Sequence, residues 1–206
     1  MRIKFILTFL FAIFICVLNA QEFNQSLDKD SLYHEIIKDI PDTLRSEFEK
    51  MYLEGNEQTK DFFLIMFSMP KSSKAELIDN YQENKNNLIK LRDEYENLVP
   101  DSLNVEIEFN PENKIVTMPP SIDIKIYSLT TKKWTNEWNI EIQSNKLDSM
   151  LNKIGWTQNE LDYVQKSLIS ANCISIQNGE YTTIGFARSG MGKYYYRIYN
   201  HDLTAE

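Results

Sequence analysis

The sequence predicts an α+β protein, with an N-terminal helical segment packed on a mostly antiparallel sheet and a C-terminal helix pair followed by a three-stranded β-meander. Three observations predict it. Apolar residues recur at three- and four-residue spacing between Ser31 and Val99, and beyond Pro100 the period switches to two. Near the end, Asn178-Gly179 divides two strand-like runs, as a tight hairpin turn does.

The chain opens "MRIKFILTFLFAIFICVLNAQEF". Arg2 and Lys4 precede an apolar run over 5–18, and Ala20 is small where a signal peptidase cuts. This pattern reads as a secretory signal peptide over 1–20, with cleavage before Gln21 and a flexible segment over 21–30. Lipidation at Cys16 is the competing reading, but it needs a small residue before the cysteine, and Ile15 stands there. No later run approaches the ~20 apolar residues of a membrane span. The expected location is the periplasm or the exterior.

Loss of Arg2 and Lys4 leaves 20 Lys and Arg against 30 Asp and Glu, a net charge of −10. Such a surface gains no counterion release from nucleic acid or anionic lipid, so neither is an expected partner. Cys16 leaves with the leader and Cys173 stands alone, so no internal disulfide is expected. Stability must come from an apolar core, which the remaining chain is long enough to build.

Within 31–99, "DSLYHEIIKDI" begins at an Asp/Ser cap and Pro41 interrupts it. "PDTLRSEFEKMYLEG" resumes behind that proline and stops at Gly55. "NEQTKDFFLIMFSMP" is apolar almost all round, which places its helix mid-bundle, and Pro70 ends it. Ser73 and Glu76 form a capping box. Behind them Leu77, Tyr81, Asn84, Leu88, Leu91, Tyr95 and Leu98 make a heptad-like seam with one polar interruption. Packing within the chain is preferred to an intermolecular coiled coil because the run is short.

The segment 101–206 is β-rich with two helices and is expected to form one compact unit with 31–99. "LNVEIEF" puts Leu103, Val105, Ile107 and Phe109 on one face, with Asn104, Glu106 and Glu108 on an exposed one. "NPEN" at 110–113 reads as a turn. Alternation continues through Ile122, Ile124 and Ile126, then through Trp138, Ile140 and Ile142. Pro119-Pro120 marks an edge or a crossing between strands. Leu147, Met150, Leu151 and Ile154 form a helical face closed by Gly155. Thr157 and Glu160 cap the next helix, which carries Leu161, Val164 and Leu168.

The stretch "FARSGMGKYYYRIYN" carries the candidate site. It is not a P-loop: five residues before Gly192 stands Ala187, and Tyr194 follows Lys193 where magnesium needs an aliphatic hydroxyl. Two readings remain. One is a plain hairpin loop whose glycines supply unusual backbone angles. The other is an anion or partner site in which Arg188, Gly190, Gly192 and Lys193 join an outward platform of Tyr195, Arg197 and Tyr199. In that second reading Tyr194, Tyr196 and Ile198 face inward.

Catalytic signals are sparse, and neither a cofactor nor a metal is expected. In "HEIIK" Lys38 occupies the position of a second zinc ligand after His34, which excludes a zinc-protease helix. His201 lies near the tail. A two-residue Asn178-Gly179 loop pairs Cys173 with Ile184 and brings Phe186 near, so Cys173 reads as an inert packing thiol. Glu106 and Glu108 share a strand face and are the nearest thing to a carboxylate pair, and no G-x-S-x-G elbow exists. The expected function is non-catalytic binding of another protein or an envelope polymer by a monomer or weak oligomer. The alternative is a metal-free carboxylate hydrolase of glycan or peptidoglycan, and a purely structural envelope role is a third option.

Overall fold

The computed structural model describes residues 23–190 and 192–199. The expected leader over 1–20, Met191 and His201 lie outside the described residues. The chain divides into two compact units. One holds the residues through Ser68 together with Asn113–Met118; the other holds Met69–Glu112 and the chain from Pro119 onward. The change of period at Pro100 is therefore not the boundary between units.

The first unit contains α1 (Lys29–Lys38), α2 (Asp42–Glu54) and α3 (Glu57–Phe67). Asp28 caps α1, its Oδ1 accepting from the backbone N–H of Asp30 and Ser31 at 3.1 Å, which starts the helix ahead of Ser31. Pro41 supplies the entry to α2, and Asn56 caps α3 through the Thr59 N–H at 2.9 Å. Phe63 and Leu64 are fully buried, as the nearly all-apolar α3 predicts. Around them Tyr33 and Tyr52 stack at 4.1 Å, and Phe48 meets Phe67 edge-on. Phe23, in the stretch expected to be flexible, is buried and bridges to Val116. Beside it the Asn24 N–H donates to the Ile115 carbonyl at 2.8 Å.

The second unit contains α4 (Lys74–Leu98), β1 (Leu103–Asn110), β2 (Ser121–Ser128), β3 (Lys133–Glu141), α5 (Asn145–Ile154), α6 (Gln158–Ser170), β4 (Ser175–Gln177), β5 (Thr182–Ser189) and β6 (Gly192–Ile198). The six strands form one antiparallel sheet in the order β3-β2-β1-β4-β5-β6, so the last three strands are the expected meander. Both capping boxes are present, at Ser73/Glu76 and Thr157/Glu160, and Gly155 ends α5 at φ +79. No helix among the described residues is long and apolar enough to cross a membrane.

One sheet face carries Val105, Ile107, Ile122, Ile124, Ile176 and Ile184, and the three helices of this unit cover it. Leu88, Leu91 and Tyr95 of α4 enter this core. At the helix's N-terminal half the seam turns polar, because Asn80 rather than Leu77 is buried. Asn80 donates to the Ala171 carbonyl at 3.2 Å and to the Tyr196 hydroxyl at 3.0 Å, and Asn84 donates back to the Asn80 Oδ1 at 2.9 Å. Buried amides survive there because every partner is supplied. Tyr81, expected in the seam, is exposed.

Three local expectations fail for identifiable reasons. "NPEN" is not a tight turn: Asn110 pairs with Ser121, and the intervening chain, Pro119-Pro120 included, makes an excursion whose residues Asn113–Met118 belong to the first unit. The β4–β5 hairpin pairs Gln177 with Thr183 rather than Glu180, so Ile176, not Cys173, faces Ile184. Asn178 is drawn away from turn duty because its side chain joins β1, accepting from the Val105 N–H at 2.6 Å and donating to the Leu103 carbonyl at 3.0 Å. Third, Trp138 does not share a face with Ile140. Asn139 takes φ +51 in a β-bulge, its N–H donating to Asp123 at 2.8 Å, and the extra residue turns Trp138 to the opposite side.

Candidate functional site

The face of the sheet opposite the helices carries the alternate residues of every strand. At its centre Glu106 and Glu108 of β1 are not the exposed polar pair their alternation suggests. Glu108 is 7% exposed, and two cations from the far side of the sheet reach it. Arg188 Nη2 lies 2.6 Å from Oε1 and Lys193 Nζ lies 2.9 Å from Oε2. Lys193 also donates to Ser175 Oγ at 2.8 Å and lies 3.5 Å from Glu106, which Lys125 of β2 holds at 2.8 Å. Cation and anion thus alternate across the sheet from β2 to β6.

Gly185 makes the long reach of Lys193 feasible. It lies on β5 between Ser175 and Tyr195, so the lysine stem crosses the strand at its position. A Cβ there would sit 2.9 Å from Lys193 Cδ and collide with Ser175 Oγ. The bare backbone at this point is a requirement of the network rather than of a turn.

The cations on either side of the glycine loop turn into the sheet instead of toward a ligand at the loop. Arg188 and Lys193 both pair with Glu108, and Arg188 Nη2 also donates to Asn110 Oδ1 at 3.3 Å. Ser189 pairs with Gly192, Gly190 takes φ +57, and the Gly190 N–H donates to the Pro70 carbonyl at 2.8 Å. That amide is consumed in fastening the hairpin to the segment before α4, where Ser189 Oγ also donates to the Ser72 carbonyl at 2.9 Å. The plain hairpin reading accounts for Gly190 and Gly192.

The rest of the expected platform stays accessible. Tyr195 and Arg197 are exposed, and the Arg197 guanidinium lies 4.9 Å from the Tyr181 ring and 5.3 Å from the Tyr195 ring. Tyr199 joins through its ring contact with Tyr181 at 5.3 Å. Tyr196 faces the helices as expected, its hydroxyl donating to the Leu77 carbonyl at 2.8 Å.

At the opposite edge lie two residues that sequence reasoning missed. Trp134 and Trp138 of β3 are 57% and 52% exposed. Trp134 rests against Tyr127 with ring centroids 4.8 Å apart, and Lys125 Nζ sits 4.8 Å from the Trp138 ring. The signal was present in "KKWTNEWN", where two tryptophans stand an even number of residues apart.

Cys173 is a free, buried thiol. Burial pushes its thiol up to about 12 from an ordinary value of 9.0, despite an opposing hydrogen bond from Asn80. Cys173 is 7% exposed, donates to the Ala171 carbonyl at 3.3 Å, and borders a slot of about 210 Å³ lined by both apolar residues such as Phe109 and Leu168 and polar ones such as Asn110 and Gln165. Native protein at pH 8 should therefore resist iodoacetamide and react fully once unfolded in urea; rapid alkylation of folded protein would contradict this burial. The proton also links pH to stability. Unfolded thiol ionises near 9 while folded thiol keeps its proton, so stability holds below pH 9 and falls between 9 and about 12. A Cys173→Ala variant should lose melting temperature less steeply over that window.

Among the described residues no group of three or more His, Cys, Asp and Glu gathers that could hold a metal ion. Compared with known proteins, the chain matches no family model, no curated protein and no solved structure.

Proposed function

We propose that this chain is a non-catalytic binding protein, exported behind a cleaved leader, that meets its partner with the open face of the sheet. One observation carries the reading. The carboxylates at the centre of that face are held in ion pairs with Lys125, Arg188 and Lys193, while Trp134, Trp138, Tyr195 and Arg197 at its two flanks remain exposed. Large aromatic and arginine side chains left in water are the groups that gain most from being covered. Carboxylate hydrolysis by this pair is disfavoured by the same geometry, since Glu106 and Glu108 are each held in ion pairs with Lys125, Lys193 and Arg188. The basic head, apolar run and Ala20 of the first 20 residues support export.

Immobilised mature chain, residues 21–206, should capture a partner from envelope extract. Paired substitutions Trp134→Ala with Trp138→Ala, or Tyr195→Ala with Arg197→Ala, should remove that capture while leaving the melting temperature within a few degrees. Capture insensitive to both pairs, or no capture, would reject the open face as the binding surface. An intact mass starting at Gln21 in protein recovered outside the cytoplasm is the expected mark of export.

A further inference from the structure

We propose that the β3 flank of the open face stacks an uncharged glycan chain, with Trp134 and Trp138 as its two platforms; this rests on the binding reading above and names its ligand class. The two indoles project from one side of one strand, four residues apart, Trp134 in the regular ladder that runs through Glu137 and Trp138 at the bulge it forms with Asn139. At about 3.3 Å per residue they stand roughly 13 Å apart, a separation that an extended chain of pyranose rings can bridge.

Both rings are set before any ligand arrives. Tyr127 backs Trp134, and Lys125 backs Trp138 while Glu106 fixes the lysine at 2.8 Å. The remaining surface of each indole is open to water. A ring held in place loses little freedom on binding, so more of the stacking energy appears as affinity. Sugar rings suit such platforms because their C–H faces carry partial positive charge and meet the negative face of the indole.

Between the two indoles on the same side stands Asn136, which is exposed. The sequence ring–amide–ring pairs two apolar contacts with a hydrogen-bonding group that hydroxyls can use. A protein partner would instead seek a continuous dry centre, which this amide interrupts. Strand addition to the β3 edge is opposed by the bulge at Asn139 and by Lys132 and Lys133 at the strand's start.

Charge selects a neutral chain. An anionic polymer meets a protein of net charge −10 once the leader is removed. A cationic one finds the carboxylates of the neighbouring strands committed, Glu106 to Lys125 and Asp123 to the Asn139 N–H.

Fluorescence provides the test, because Trp156, the remaining tryptophan, is buried with its Nε1 donating to the Leu98 carbonyl at 2.9 Å. Mature protein titrated with cellohexaose, maltohexaose and the hexamer of N-acetylglucosamine should show, with at least one of them, a saturable blue shift and protection from iodide quenching. Trp134→Ala and Trp138→Ala should each weaken that binding roughly tenfold. Lys125→Met should weaken it less and alter the near-ultraviolet circular dichroism of Trp138. No saturable change with any hexasaccharide, or binding unaltered by both alanine variants, overturns the proposal. If the tryptophan variants lose a captured protein while no glycan binds, the glycan assignment falls and the binding reading stands. If nothing is captured and nothing shifts emission, both fall.

Discussion

Replacing Tyr95 with alanine is expected to destabilise the sheet-containing unit by about 4 kcal/mol. Tyr95 is fully buried beneath the sheet, its ring edge-on to Trp156 at 5.8 Å and its hydroxyl donating to the Val105 carbonyl at 3.0 Å. Truncation removes the ring from a packed site and leaves the Val105 carbonyl with only the weaker contact from the Asn178 N–H at 3.3 Å. Burial also holds the phenol well above its usual ionisation range, so the hydroxyl remains a donor throughout the neutral and mildly alkaline window. Tyr95→Phe separates the two contributions: it keeps the packing and should cost only about 1 kcal/mol. Urea unfolding followed by Trp156 emission reads both variants. A loss below 1 kcal/mol for the alanine variant would show that the α4–sheet contact is not the centre of this core.

Glu108→Ala should be the second most damaging change, at about 2 kcal/mol, because it leaves Arg188 and Lys193 without their shared anion. The loss is smaller than for a fully enclosed pair, since the Arg188 side chain is 43% exposed and regains water. Gly185→Ala should reproduce much of the effect without touching a charge, by pushing the Lys193 stem out of its path. Glu108→Gln should fall between the wild type and Glu108→Ala in urea unfolding. Equal stability of all three variants and wild type would mean the network is ornamental and that Arg188 and Lys193 are available to ligands after all.

What the sequence made legible was local. Ser73 with Glu76, and Thr157 with Glu160, declare helix starts because a capping box closes within four residues. Gly155 declares a helix end for the same reason, and the two-residue period of Leu103 through Phe109 declares a half-covered strand. What stayed hidden depended on which strands become neighbours. Nothing in "RSGMGKYYYR" tells that β4 inserts beside β1 and so brings Glu108 within reach of Lys193. Asn178-Gly179 looked like a tight turn, but the Asn178 side chain serves β1 across the sheet. Trp138 was assigned to the buried face because a single left-handed residue, Asn139, breaks the alternation, and a period-two reading has no means of seeing it. At the candidate site, the alternation of β6 is enough to put Tyr195 and Arg197 outward, whereas the pairing of Arg188 and Lys193 with Glu108 and the exposure of Trp134 and Trp138 depend on strand order and on the bulge.

The excursion between β1 and β2 has a practical corollary for anyone dissecting the molecule. Because Asn113–Met118 belongs with the first unit, the polypeptide passes from one unit to the other three times rather than once. No single scission yields two intact halves. A fragment starting at Met69 would retain Val116, 2% exposed in the whole chain, without Phe23, to which it bridges, while the amino-terminal piece would lack that same rung. The units are stitched rather than strung, and genetic excision of either one needs the intervening loop rebuilt.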